Sequence, residues 1–333
     1  MIRYFCTYFD QNYVSKGLAL HSSLMDYCED FRLWVLCMDD VTYEALLQLK
    51  LENILPIKLD DFERDDFELQ RAKGNRSRIE YYFTCTPSLP LYILTHWPDV
   101  DLITYLDADL YFFSSPEPIF SELAASSIGI IEHRFPERLA AREKYGKYNV
   151  GWLSFRRDNQ ALACLRWWRA RCIEWCYDRL EDGKFADQKY LDHWTDLFGG
   201  VHVIQHKGAN VAPWNVDRHP VTLREHGIFI GDEPLIFFHF HALRYLNFGL
   251  YMTGLRSYGS RLDYRMLGAL FRPYLEVLSG AKNACDIQCN STLRGDNSNQ
   301  SGLPQKLLKK MLGLVLLPVF LKQGWCIWRN PLK

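Results

Sequence analysis

A chain of 333 residues, 48% hydrophobic and 15% aromatic, can bury a full core in one large domain or two modest ones, which excludes disordered and fibrous classes. Its formal charge of −1 gives no electrostatic case for nucleic acid, because proteins that bind phosphate backbones carry a basic excess. The 10 cysteines are scattered through apolar or helical patterns and read as buried thiols.

In chain order, residues 2–9, IRYFCTYF, predict a first strand. DQNYVSKGLALHSSLMDY then places Val14, Leu18, Leu20 and Leu24 at helical spacing. RLWVLCMDD reads as a second buried strand and VTYEALLQLK as the next helix. This β-α-β-α opening predicts a parallel sheet whose functional face lies at the carboxyl ends of its strands. No G-x-G-x-x-G follows the first strand, so a dinucleotide site of that kind is not expected. Further on, SLPLYILTHW predicts a helix, DLITYLDADLYFF a buried strand and SIGIIEH another. The C-x3-C pairs Cys172/Cys176 and Cys285/Cys289 read as chance helical neighbours rather than zinc ligands.

The start of the chain carries no long apolar stretch of the signal-peptide kind, so a cytoplasmic setting is the expectation and the Asn290 sequon carries little weight. The tail has a different composition. Residues 283–302 are rich in Asn, Ser, Gly and Asp and predict a flexible linker or loop after a body of residues 1–282. Residues 303–333 join Lys306, Lys309 and Lys310 to an apolar run ending at Leu321, then Trp325 and Trp328. That run is short of the ~20 apolar residues a bilayer needs, and Pro318 interrupts it. Two readings stand: a basic amphipathic segment lying in a membrane interface, peripheral on the inner face of the cytoplasmic membrane, or a C-terminal helix docked on the core.

The chemistry concentrates at YLDADLYFF. In extended backbone Asp107 and Asp109 point to the same side and offer their oxygens to one point. Two close carboxylates repel, and a site that keeps both ionised usually holds a cation; Mg2+ or Mn2+ takes such oxygens together with water and substrate phosphate. The bland alternative is a pair of solvated turn acids.

Several separated stretches, in order from about residue 3 to about 245, resemble the glycosyltransferases of the GT-A fold, and within them family 8, whose members are retaining and use nucleoside diphosphate sugars. The resemblance implies an α/β, Rossmann-like fold with a mainly parallel mixed sheet flanked by helices, and residues 1–282 as the catalytic domain. TYFDQNYVSKGLALHSSL resembles the family's opening strand and helix, which implies that Thr7, Tyr8, Asp10 and Asn12 line the nucleotide pocket. YLDADLYFFSSP resembles its metal motif, with Ala108 between the two aspartates at the donor. NVGWLSF resembles the segment that approaches the donor sugar, implicating Asn149 and Gly151. ADQKYLDHW resembles the Asp-Gln segment and places Asp187 and Gln188 at the junction of donor and acceptor, although Asp187 could equally cap the next helix. FFHFHALR resembles the late His motif, whose first histidine, His239, completes the metal shell; His241 is the alternative.

Two departures stand out. The family's Tyr-x-Arg-Leu helix start is replaced by RSRIEYYFTCTPSL, where Arg78 and Thr84 are the substitutes. The late Lys-Pro-Trp is missing, so the basic group for the leaving diphosphate falls to Arg244 or Lys207. PWNV at 213–216 is assigned to the acceptor face.

The expected activity is transfer of a hexose from a nucleoside diphosphate sugar, UDP-linked first, to a hydroxyl of a glycan or lipid-linked acceptor in surface polysaccharide assembly. A haloacid dehalogenase type phosphatase also uses strand-D-x-D, but expects the motif near the N-terminus and Thr or Val where Tyr111 stands. The remaining alternative is a non-catalytic sugar-nucleotide binding or membrane-associated scaffold.

Overall fold

The computed structural model describes residues 2–247, 250–289 and 326–328. Its opening follows the expected alternation: β1 (Arg3–Phe9), α1 (Val14–Tyr27), β2 (Phe31–Cys37), α2 (Asp40–Leu49) and β3 (Ile54–Lys58). β1 pairs in parallel with β2 from Arg3↔Phe31 to Phe9↔Cys37, and β2 in parallel with β3. These strands read as nearly unbroken apolar runs because helices cover both faces of the sheet.

Four short helices, α3 (Leu59–Glu63), α4 (Phe67–Lys73), α5 (Arg78–Cys85) and α6 (Ser88–His96), return the chain to β4 (Leu102–Leu106), which lies parallel to β1. Ser77 starts α5 in a capping box with Glu80, each satisfying the other's free amide. Next come β5 (Leu110–Phe112), α7 (Glu117–Leu123), β6 (Ile128–Glu132), β7 (Tyr148–Arg156), α8 (Asn159–Glu174), α9 (Trp194–Leu197) and β8 (Val201–Val203). The seven strands order as β3-β2-β1-β4-β7-β6-β8. Only β7, an interior strand, runs antiparallel to its neighbours β4 and β6, so the sheet is mixed and mainly parallel.

Apolar layers cover the two faces of this sheet, one including Trp34, Leu153, Trp168 and Trp194, the other Phe5, Leu106, Trp152 and Phe237. A three-stranded sheet of β9 (Val221–Arg224), β10 (Gly227–Ile230) and β11 (Glu233–Pro234) precedes β12 (Phe237–His239), which pairs with β5. After β13 (Arg244–Asn247), β14 (Leu250–Met252) and α10 (Leu255–Tyr258), helix α11 (Tyr264–Cys289) packs Leu267, Phe271 and Tyr274 against β12 and its flanks. The rings of Tyr274 and Phe240 stack at 3.9 Å.

The tail departs from expectation at two points. α11 continues to Cys289, so the first residues of the stretch read as a linker from 283 are helical. Within the stretch read as a membrane segment, β15 (Cys326–Trp328) pairs antiparallel with β14, and Ile327 is buried. Backbone pairing with the folded body anchors those three residues. Residues 290–325 and 329–333 lie outside the described residues, including the basic apolar run itself. Among the described residues, no helix is long and apolar enough to cross a membrane. Cys6, Cys28, Cys37, Cys85, Cys164, Cys172 and Cys176 are buried free thiols, as their apolar surroundings in the sequence imply.

Candidate active site

The sheet ends in a cleft of about 880 Å³ at the carboxyl ends of β1 and β4. The two aspartates enter it through a turn rather than an extended strand. β4 stops at Leu106, the amide of Asp107 donates to the carbonyl of Gly151, and the amide of Leu110 donates back to the carbonyl of Asp107. Their carboxylates therefore converge because the chain reverses between β4 and β5, not because of strand alternation.

The third member of the group is delivered by a ladder that sequence distance hides. β5 and β12 pair with His239 opposite Leu110, and the amide of Phe240 donates 2.9 Å to the carbonyl of Asp109. His239 Nε2 thus lies 3.0 Å from Asp109 Oδ1 and 3.7 Å from Asp107 Oδ2. One ligand atom from each of Asp107, Asp109 and His239 lies within 4.8 Å of the others. Adjacent ligands of an octahedral ion with bonds of ~2.1 Å stand about 3 Å apart, which matches the 3.0 Å from His239 to Asp109, while Asp107, at 3.7 Å, would draw closer around a divalent cation. Two carboxylate oxygens and an imidazole nitrogen also suit Mg2+ or Mn2+ in donor type. This is the one such group among the described residues, and it contains His239 rather than His241.

Gly151 makes room for the histidine. A Cβ at that position would sit 2.6 Å from Asn149 Oδ1 and 3.1 Å from His239 Nδ1. The Gly151 amide donates to Asn149 Oδ1 at 3.1 Å, which fixes Asn149 beneath the site. His239 Nδ1 is buried without a hydrogen-bond partner, so packing holds that side of the ring while Nε2 faces the Asp109 carboxylate.

Electrostatics separates these groups. Burial pushes the Asp107 carboxyl up, as does the neighbouring Asp109, against the pull of His239. Asp109 feels the same burial, but Lys16 and His239 outweigh it and hold its carboxyl well below the usual range. Lys16 Nζ lies 3.4 Å from Asp109 Oδ2. Three histidines line the cleft and only one favours its proton. Burial takes His133 down to about 3, whereas His239, equally buried, is raised because both aspartates face it; His241, exposed at the cleft, is lowered by its loss of surrounding water and by the neighbouring His239. Asp187, 4% exposed, is pushed up to about 7, by burial first and Asp107 second, against a hydrogen bond from Thr86. A carboxyl at that value exchanges its proton near neutrality and can donate or accept a hydrogen bond.

Of the residues singled out in the sequence, Tyr8, Asp10, Asn12, Arg78, Asp107, Ala108, Asp109, Asn149, Asp187, Gln188 and His239 line the cleft together. Asp10 is held by the Asn12 amide at 3.0 Å and by the Tyr82 hydroxyl at 3.2 Å, with Arg78 Nη2 at 3.7 Å. Gln188 Nε2 donates to the carbonyl of Tyr145. The following 3-10 helix, Lys189–His193, begins at Gln188 without a side-chain cap, so Asp187 is not its cap.

Four residues are placed elsewhere. Thr7 points into the core from β1, and Thr84 is buried with its hydroxyl donating to the carbonyl of Glu80 within α5. Lys207 pairs with Asp232 beside the β9–β11 sheet, and Arg244 is exposed on β13; neither lines the cleft. Both follow from which face of a short strand or turn the chain presents, and composition carries no signal for it.

Sequence reasoning also missed Lys16 beside Asp109, and Tyr82, Tyr105, Phe135, Arg142 and Tyr258 in the cleft lining, while Trp214 falls within the PWNV stretch assigned to the acceptor face and is 3% exposed. Trp214 lies 5.3 Å from the ring of His239, 5.5 Å from His241 and 5.9 Å from Tyr258, and donates Nε1 to the carbonyl of His133. Tyr105 precedes the aspartates on β4 and donates 3.0 Å to Asp107 Oδ1.

A mainly parallel mixed sheet flanked by helices is the architecture of the GT-A fold, and the fold recurs in GlyE, a glycosyltransferase of Streptococcus pneumoniae TIGR4. The apo form of GlyE superposes with a TM-score of 0.51 at 12% identity, covering 90% of this chain and 66% of that one. No family model matches the sequence. Two proteins of Bacillus subtilis (strain 168) do: the uncharacterized protein YfnD is 33% identical over 240 residues, 71% of this chain and 76% of YfnD. YfnF is 32% identical over 250 residues, 72% of this chain and 81% of YfnF. The chain belongs to the family of YfnD and YfnF.

Proposed function

We propose that the protein is a metal-dependent glycosyltransferase of the retaining, family 8 type. It moves a hexose from a nucleoside diphosphate sugar, UDP-linked first, to a hydroxyl of a glycan or lipid-linked acceptor in surface polysaccharide assembly. The observation that carries the reading is the convergence of Asp107, Asp109 and His239 Nε2 at the strand ends of a GT-A fold. A divalent ion held there would supply positive charge against the leaving diphosphate. Asp107 and Asp109 would hold the ion by oxygen and His239 by Nε2, once its proton is removed.

The other groups act around the reacting sugar. Asn149 and Gln188, both in the cleft lining, offer amides to sugar hydroxyls. Asp187, near the Asp107 end, stabilises positive character at the anomeric carbon when ionised and orients a hydroxyl when protonated. Asp10 and Asn12, with Tyr8 and Arg78, form the nucleotide end. Tyr258, half-buried and backed by the buried Trp214, gives an acceptor sugar an aromatic face. The Lys-rich, apolar tail sequence suits a protein working at the inner face of the cytoplasmic membrane.

A thermal-shift panel of nucleotide sugars with Mn2+ tests the reading, since a ligand that binds the folded state raises the melting temperature. One donor should stabilise selectively and turn over, and Asp109→Ala should lose metal-dependent nucleotide release while staying folded. Undiminished turnover in that variant would reject the site; selective binding without release or transfer would make the protein a sugar-nucleotide binding scaffold instead.

A further inference from the structure

A diphosphate brings negative charge into a cleft that is itself acidic, lined by Asp10, Asp107, Asp109, Asp178 and Asp187 against Arg78 and Arg142. Arg78 faces Asp10 at 3.7 Å, and Arg142 lies over the ring of Tyr258 at 4.7 Å, toward the aromatic side. Lys207, Arg244 and Lys16 all stand outside the cleft lining, but of the three Lys16 meets the metal group, through Asp109. Among the described residues, the remaining cation that touches the metal group is Lys16, near the start of α1.

Its position is built rather than incidental. The Lys16 side chain is 16% exposed, with Nζ 3.4 Å from Asp109 Oδ2 and 3.9 Å from the centre of the Tyr13 ring. An ammonium withdrawn from water persists only where partners replace its hydration, and a carboxylate and a ring face do so here. The neighbouring residue sets the distance. A Cβ at Gly17 would fall 2.2 Å from Phe9 Cε1, so only glycine lets α1 close on the end of β1 and bring Lys16 over Asp109.

We propose that Lys16 is the protein cation that receives the diphosphate of the sugar nucleotide, replacing the basic group missing from the end of the late His motif. The inference rests on the glycosyltransferase reading. In the metal-free protein the Lys16 ammonium neutralises Asp109 and so competes with a divalent ion for that carboxylate. Once Asp109 serves as a ligand, the same ammonium is left with a weaker partner at the edge of the group, where phosphate oxygens arrive. The two roles have opposite signs: removing the charge helps the bare metal and harms the diphosphate.

The test uses full-length protein, Lys16→Gln and Lys16→Arg. Mn2+ binding is followed by electron paramagnetic resonance, and binding of Mn2+-pyrophosphate by calorimetry. Pyrophosphate needs no knowledge of base or sugar. Lys16→Gln should bind Mn2+ alone as tightly as the parent or several-fold tighter, and Mn2+-pyrophosphate about tenfold more weakly or worse. Lys16→Arg, which keeps the charge, should recover most of the pyrophosphate affinity. Equal pyrophosphate affinity in the parent and Lys16→Gln, with Mn2+ bound by both, overturns the role of Lys16 and leaves the metal site standing. Loss of both ligands in Lys16→Gln and Lys16→Arg alike also overturns it, since Lys16 would then only support the fold. Failure of the parent to bind Mn2+ removes the glycosyltransferase reading and the inference with it.

Discussion

Replacing Asp187 by Asn in the metal-free protein should change how stability depends on pH. The Asp187 carboxyl titrates at about 7 in the folded chain because it is buried, and at ~3.9 when unfolded. Between those values the folded state holds a proton that the unfolded state has lost, so stability falls as pH rises and levels off above 7. The whole shift of about 3 units corresponds to about 4 kcal/mol, of which roughly 1.5 is already lost at pH 5. Asp187→Asn keeps the shape and removes the ionisation. Relative to the parent, it should therefore gain on the order of 3 kcal/mol between pH 5 and pH 8. Urea unfolding in EDTA at both pH values measures this as a double difference, in which the fixed cost of swapping acid for amide cancels. Parallel pH dependences for the two proteins would refute the burial argument. Saturating Mn2+ should shrink the gain, because an ion at Asp107 favours ionised Asp187.

Mn2+ affinity should fall as pH drops through the raised pKa of His239, because its proton must leave before Nε2 can serve as a ligand. Binding curves at pH 6, 7 and 8 check this, and pH-independent affinity would count against His239 as a ligand. Gly151→Ala should cost about 1–3 kcal/mol and weaken Mn2+ binding, since the added methyl meets Asn149 Oδ1 at 2.6 Å and presses on His239. Urea unfolding and a metal titration measure the two effects separately. The combined change Lys306→Glu, Lys309→Glu and Lys310→Glu should release the protein from anionic vesicles while leaving β15 in place; equal sedimentation with vesicles would reject a membrane role for the tail.

Much of the architecture was legible from local pattern. The unbroken apolar runs of β1, β2, β4 and β6 and the helical spacing of α1 survive folding because both express burial on fixed periods. The aspartate pair was legible too, but the stated reason was not the operative one. A turn, rather than the two-residue period of a strand, brings Asp107 and Asp109 together, and turn geometry depends on the ladders at either side. Lys207 and Arg244 had the right charge, yet which side of a small sheet faces a cleft is invisible to composition.

The sequence by itself determined the sheet's core strands, the acids at the end of β4 and the class of ion they suit, because hydrophobic period and ligand chemistry are properties of neighbouring residues. Only the tertiary structure decided that His239, not His241, closes the group and that Lys16 is the cation beside it. The β5–β12 register places the first, and the close packing at Gly17 that seats α1 on β1 places the second. Contacts between residues far apart in the chain depend on pairing and packing over the whole core, and no local pattern encodes them.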